Sequence, residues 1–79
     1  MNITEIHHEI SANIVRLRRE KDITQEKLAN EIGCTQAFIN QIETGIKECN
    51  VKHLYQIASA LNCSVYDILP NLTMNVEKK

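Results

Sequence analysis

The chain has 79 residues, a formal net charge of −1 and a hydrophobic content of 43%. These values fit one small globular domain and exclude a disordered chain or an array of domains. One proline and two glycines are too few for the turns of an all-β fold. No apolar run is long enough to span a bilayer, and the N-terminus lacks the basic and apolar segments of a signal peptide. We therefore expect a cytoplasmic, all-α protein without a membrane partner.

The three cysteines, Cys34, Cys49 and Cys63, are an odd number at wide spacings. This pattern is typical of reduced thiols that pack inside a cytoplasmic protein, although Cys34 precedes a predicted helix, where a thiol can become reactive. The paired ligand spacing of a zinc site is missing, so the sequence predicts no metal and no cofactor. The adjacent His7 and His8 point about 100° apart on a helix, so we expect surface residues rather than a ligand pair.

The first two helices are predicted from apolar spacing and capping residues. The first should run from about Glu5 to Glu20, with Thr4 as its N-cap. Apolar residues recur in it at spacings of four, four and three and form one stripe: Ile6, Ile10, Ile14 and Leu17. The second should run from Gln25 to Ile32, with Thr24 as its N-cap and Gly33 as the left-handed residue that ends it.

Three further helices follow at short intervals. Each is preceded by a residue that favours the N-cap position: Thr35, Asn50 and Ser64. The third helix should end before Gly45, the fourth at Asn62, and the short fifth before Pro70. The fourth carries its expected core face at Val51, Leu54, Ala58 and Leu61. The chain therefore reads as one domain over residues 1–79, with a core over about 5–69.

The third helix has an unusual outward face. Its inward arc is apolar: Phe38, Ile39 and Ile42. Its outward arc carries neutral amides, a methyl group and a hydroxyl in place of Lys and Glu: Gln36, Ala37, Asn40, Gln41 and Thr44. An amide side chain offers a donor and an acceptor that match N6 and N7 of adenine, and an alanine methyl can meet a thymine methyl. On the residues alone, this arc makes nucleic acid one option among several partners.

The second and third helices form a helix-turn-helix unit, because a tight turn at Gly33 and Cys34 joins them and the small Ala29 permits a close crossing. The span "TQEKLANEIGCTQAFINQIETG" closely resembles the Cro and phage-repressor type of helix-turn-helix family, the XRE family. "IVRLRREKDITQEKLA" and "LYQIASALNCSVYDIL" are similar to its first helix and to its fourth and fifth. The resemblance covers Ile10 to Leu69 and implies a five-helix, lambda-repressor-like fold in a DNA-binding transcriptional regulator.

The resemblance also implies roles for individual residues. The third helix would lie in the major groove and read bases with Gln36, Ala37, Asn40 and Gln41. The DNA backbone would be contacted by Gln25, Thr35, Thr44, Lys47 and Arg18. Arg18 and Glu43 match a family ion pair that would hold the recognition helix at its angle. Two departures, Ile46 and Glu48, make the binding side less basic than in many members, which indicates modest affinity of a monomer.

Weak binding by one recognition helix favours a two-fold dimer on a palindromic operator, as in repressors of this family. We expect the dimer surface near the fifth helix, at Tyr66, Ile68, Leu69 and Leu72. The tail, residues 70–79, is expected either to fray or to pair as a short strand across the axis, since its apolar residues alternate with polar ones. Ile3 and Ile6, ahead of the family match, are a rival dimer surface or a cover for the core.

No catalytic motif is present: the chain lacks GxSxG, a phosphate-binding glycine loop and HExxH. We therefore expect a regulator rather than an enzyme, with double-stranded DNA as its partner. The alternative is a protein-interaction module or antitoxin that keeps the fold and acts mainly by binding another protein. The polar arc of the third helix favours DNA, because an adaptor does not need it.

Overall fold

A computed structural model of the chain describes residues 2–71. They form five α-helices and, within this range, no strand. The helices are α1 (Ile3–Glu20), α2 (Gln25–Ile32), α3 (Gln36–Glu43), α4 (Val51–Ala60) and α5 (Val65–Ile68). The prediction of an all-α, five-helix domain is confirmed. None of these helices combines the length and apolar character needed to cross a membrane.

Side-chain caps determine where the helices begin. The predicted caps of the last four helices are confirmed, since each side chain accepts a first-turn backbone N–H: Thr24, Thr35, Asn50 and Ser64. The predicted start of α1 is wrong by two residues. Asn2 caps α1 in a capping box, in which Asn2 Oδ1 accepts the Glu5 N–H and Glu5 Oε1 accepts the Asn2 N–H, both at 2.8 Å. Thr4 lies inside the helix.

Left-handed residues follow two of the helices, and Gly33 does so as predicted. Gly33 has φ of 76° directly after α2, and Asn62 has φ of 54° shortly after α4. The Cys34 N–H then donates to the Ala29 carbonyl at 3.0 Å, which closes the turn between α2 and α3. Because this turn takes only three residues, α3 is set at a defined angle to α2.

The five helices enclose a single core. Its largest fully buried side chains are Ile14, Leu28, Ile39, Ile42, Ile57, Leu61 and Ile68. Ala29 is also buried there, as the close crossing of α2 and α3 requires.

Two predicted positions are wrong. Val51 is 69% exposed, because the first turn of α4 extends past the core and burial begins at Leu54. Ile68 is fully buried, so it is a core residue and cannot form a dimer surface. Asn13 Nδ2 donates to the Ile68 carbonyl at 2.8 Å, which holds the short α5 against α1.

Replacing Gly33 with alanine is expected to lower the free energy of unfolding by about 1–2 kcal/mol, because an L-residue is strained in the left-handed conformation. No atom lies within 4 Å of an added Cβ, so the loss comes from the backbone alone. Gly33→Asn is the matched control and should lose less, because asparagine tolerates this conformation. Urea denaturation followed by circular dichroism measures both variants. An alanine variant as stable as the wild type would contradict this account of the turn.

Candidate nucleic-acid interface

The outward face of α3 is open to solvent. Gln36, Ala37 and Asn40 are exposed and Gln41 is half-buried, while Ile39 and Ile42 beneath them are fully buried. An α-helix with its side chains is about 10–12 Å across, and the major groove of B-DNA is about 12 Å wide. The four predicted base readers therefore lie together on a helix that is anchored from below and that the groove can admit.

A buried ion pair fixes the C-terminal end of α3. Arg18 Nε and Nη2 donate to Glu43 Oε2 and Oε1 at 2.6 and 3.0 Å, with side chains that are 10% and 4% exposed. Gln25 Nε2 donates to Glu43 Oε1 at 2.9 Å. The Arg18–Glu43 pair expected from the sequence is thus present, and it is bidentate and charge-assisted. With Gln25, it links α1, α2 and α3 through one carboxylate.

This geometry removes Arg18 from the predicted phosphate contacts. Its third nitrogen, Nη1, donates to the Ile23 carbonyl at 2.7 Å, so the guanidinium is turned inward and engaged on three sides. The expectation that Arg18 also contacts the DNA backbone is therefore wrong. Gln25 is half-buried, and the bond to Glu43 leaves the second hydrogen of its amide group for a phosphate.

The other predicted backbone contacts surround the exposed face of α3. Thr35, Thr44 and Lys47 are all exposed. Thr35 Oγ1 accepts the Phe38 N–H at 3.1 Å, which leaves its hydroxyl hydrogen available. Thr44 Oγ1 instead donates to the Asn40 carbonyl at 2.9 Å. The Lys47 ammonium lies 6.0 Å from the centre of the ring of Phe38, a half-buried residue on the inward arc.

Helix α1 contacts the end of α3 in ways that the sequence did not reveal. The buried Ser11 Oγ donates to the Ile42 carbonyl at 2.7 Å. His7, expected on the surface, is half-buried, and its Nε2 lies 3.5 Å from Glu48 Oε2. Residues 7, 11 and 18 share one face of a helix. That spacing of polar residues beside the apolar stripe was the available signal.

The thiols lie in places that disfavour reactivity. Cys34, Cys49 and Cys63 are half-buried and unbridged, as the packing interpretation predicts. Burial raises the pKa of Cys49 to about 11 and raises the pKa of Cys34 above its ordinary value. A higher pKa lowers the thiolate fraction at neutral pH, which disfavours the interpretation of Cys34 as a reactive thiol. Within residues 2–71, no group of three His, Cys, Asp or Glu side chains could hold a metal ion.

The arrangement of α2, α3 and their turn belongs to a known family. A sequence model of the helix-turn-helix family matches residues 14–68. The chain is an XRE-type helix-turn-helix protein. The resemblance found in the sequence is thereby confirmed. Over 60 residues the protein is 35% identical to y4dJ, an uncharacterized HTH-type transcriptional regulator of Sinorhizobium fredii, and the match covers 76% of this chain and 78% of that protein.

Solved structures of regulators share the fold of this helix-turn-helix protein. The clp gene regulator ClgR of C. glutamicum superposes with a TM-score of 0.78 and 24% identity, over 86% of each chain. The P22 c2 repressor, crystallised in complex with a synthetic operator, superposes with a TM-score of 0.69 and 28% identity, over 76% of this chain and 91% of that chain. In this protein, α3 is the second helix of the helix-turn-helix unit.

The predicted dimer residues have different environments. Tyr66 is 85% exposed and Leu69 is half-buried, so both can contribute to an interface. Ile68 belongs to the core, and Leu72 and the predicted strand in the tail lie outside the described residues. On the rival surface, Ile3 is exposed and Ile6 is half-buried against the core.

Removing Glu43 would leave the buried Arg18 charge unpaired. Glu43→Ala is therefore expected to lower the free energy of unfolding by about 3–5 kcal/mol. Glu20→Ala is the matched control, because it removes the partner of Arg16 from an exposed pair with a 3.3 Å separation, and it should cost less than about 1 kcal/mol. Denaturant unfolding measures both.

A double-mutant cycle measures the interaction between Arg18 and Glu43 separately from the interactions that each makes with other residues. Arg18→Leu with Glu43→Leu should be less destabilising than the sum of the two single changes, because neither charge is left unpaired. Additive costs in the cycle would mean that the two side chains do not stabilise one another.

Proposed function

We propose that this protein is a sequence-specific transcriptional regulator, a dimeric repressor that reads a palindromic operator with α3 in the major groove. The observation that carries the proposal is the exposed face of α3. Neutral hydrogen-bonding side chains stand there over the buried Ile39 and Ile42, where a solvated helix would carry charges. An anchored helix with Gln and Ala at its N-terminal end suits readout of base edges.

In this proposal four residues read the bases: Gln36, Ala37, Asn40 and Gln41. The first two lie at the N-terminal end of the helix, which enters the groove first in this family. Four others would contact phosphates and set the register of the protein on the duplex: Gln25, Thr35, Lys47 and, once its hydroxyl turns from the Asn40 carbonyl to the DNA, Thr44. Gln25 has a further advantage, because it is the first residue of α2, where the helix dipole and free N–H groups attract an anion.

The binding side carries little positive charge, and this supports a dimer. Glu26, Glu31 and Glu48 are exposed on α2 and the loop after α3, so phosphate attraction adds little to the affinity of one domain. Two copies on two half-sites, about 10 base pairs apart from centre to centre, would supply the missing contacts. Tyr66 and Leu69 near the C-terminal end of the domain would form the interface.

A second candidate function, binding of another protein, has some support on a different face. Tyr55 is an exposed aromatic residue at the edge of an open groove between α2 and α4, which also contains Ile32, Ser59 and Ala60. Exposed aromatic residues are common in protein interfaces. An antitoxin or adaptor would use such a groove, and DNA binding would then be weak or non-specific.

Replacing Gln36 with alanine should weaken binding to a duplex selected from a random pool by about 1–3 kcal/mol and relax the preference at one base position. Lys47→Ala is the matched comparison, because a phosphate contact carries no sequence information. It should weaken all duplexes alike and reduce the salt slope by about one unit. Selection repeated with each variant, followed by titration at fixed salt, distinguishes the two effects. An unchanged motif and affinity for Gln36→Ala would rule out its role as a base reader.

The protein should be a homodimer at micromolar concentration in sedimentation equilibrium, and the selected motif should have two-fold symmetry. Tyr66→Lys should shift the protein towards the monomer, because it places a charge in the proposed interface. Tyr55→Lys is the control, since it makes the same change on α4, and it should leave the dimer intact. A monomer that binds a non-palindromic site with full affinity would contradict the proposal and favour the protein-binding function.

A further inference from the structure

The first three turns of α1 contact other parts of the protein near its proposed DNA-binding side. They precede residues 14–68, which match the family. Ser11 Oγ donates to the Ile42 carbonyl in the last turn of α3. His7 Nε2 faces Glu48 Oε2 at 3.5 Å. His8 lies beside Gly45, where an added Cβ would be 3.7 Å from Cδ2 of the ring. This part of α1 therefore makes several contacts with residues 42–48.

The segment that receives these contacts is the loop after α3, residues 44–50, which we term the α3–α4 loop. It folds back on α3, because the Lys47 N–H donates to the Gln41 carbonyl at 3.0 Å. Lys47 and Glu48 are adjacent and carry opposite charges. A cation here would attract the DNA backbone and a carboxylate would repel it, so the direction of each side chain affects affinity.

His7 is well placed to control the direction of Glu48. The Glu48 side chain is 74% exposed, whereas the His7 side chain is only 25% exposed. His7 Nδ1 is buried and has no hydrogen-bond partner, so the ring offers Nε2 to the loop from a position enclosed by protein. A largely enclosed ring beside an exposed carboxylate restrains the carboxylate more than it is itself restrained.

We propose that His7 is a positioning residue for DNA binding. It draws Glu48 towards α1 and away from the phosphates, and Lys47 is then the charge that the α3–α4 loop presents to the DNA backbone. The inference rests on the proposed function, because it concerns affinity for DNA. It adds to that function a residue outside the family match, which acts through Glu48 and touches no nucleotide.

Three substitutions of His7 separate the polar contact from packing. His7→Ala and His7→Phe remove the contact of Nε2 with Glu48, and phenylalanine keeps an aromatic ring. Both should weaken binding to the selected duplex by about two- to five-fold, the range expected for a polar contact this exposed. His7→Gln retains an amide donor and should restore affinity to within a factor of about two, the lower limit of that range.

The same substitutions made in a Glu48→Gln protein provide the decisive comparison. Glu48→Gln removes the repelling charge, so it should bind the duplex at least as tightly as the wild type, and His7→Ala should then have no further effect. Glu9→Gln is the control, because it removes a charge from the opposite side of α1, and it should leave affinity unchanged. An equal loss for His7→Ala with and without Glu48 would overturn the proposal, and so would wild-type affinity in His7→Ala.

A second readout does not depend on DNA. Amide hydrogen exchange at Lys47, whose N–H is bonded to the Gln41 carbonyl, should be faster in His7→Ala than in the wild type, because the α3–α4 loop loses a restraint. Exchange that is unchanged would overturn the proposal. If the wild-type protein selected no duplex at all, the proposed function would fail, and the exchange rates would still decide whether His7 holds the loop.

Discussion

One buried carboxylate, that of Glu43, connects the three helices on which the interface depends. Arg18 from α1 binds it through two nitrogens, and Gln25 from α2 adds a third hydrogen bond. Well-packed apolar side chains often stabilise a protein as well as a buried ion pair does. The particular value of this pair is directional, because a bidentate guanidinium and carboxylate permit only a narrow range of angles between α1 and α3. The proposed reading surface inherits its orientation from that restriction.

The rest of the domain holds α3 without using its outward face. Both α2 and α3 have only eight residues, too few for a stable isolated helix. Their caps, Thr24 and Thr35, satisfy N–H groups at one end, and the buried Ile39 and Ile42 anchor α3 from below. Stability therefore comes from the ends and the inner face. The outward side chains of Gln36, Ala37 and Asn40 are not needed for this support, so they are available for recognition.

Much of this could be predicted from the sequence, because the signals are local. Thr24, Gly33 and Thr35 each determine the backbone conformation of the three or four residues beside them. All three were correctly assigned to a helix start or a helix end. The start of α1 was predicted wrongly although a signal was available: Asn2 and Glu5 have the spacing of a capping box. Ile68 was misplaced because a four-residue helix has too little periodicity to show which face is buried. The orientation of α5 depends instead on a distant residue, since Asn13 in α1 donates to the Ile68 carbonyl.

The site shows the same division between local and distant information. The base-reading arc follows from helical geometry within α3. The Arg18–Glu43 pair joins residues 25 positions apart, and only the family resemblance indicated it. The resemblance did not indicate that Glu43 and the Ile23 carbonyl together would engage all three nitrogens of the Arg18 guanidinium, nor that His7 would lie beside Glu48. Both follow from the packing of α1 on the end of α3, which no short stretch of sequence encodes.

The most direct test of the account is an NMR titration of the ¹⁵N-labelled protein with its selected duplex. The account predicts that the largest chemical-shift changes occur at the N-terminal half of α3 and at the first residues of α2, with small changes around Tyr55 on α4. A scrambled duplex at the same salt concentration should produce weaker, uniformly distributed changes. Changes concentrated on the groove between α2 and α4, with α3 unaffected, would contradict the claim that α3 reads DNA.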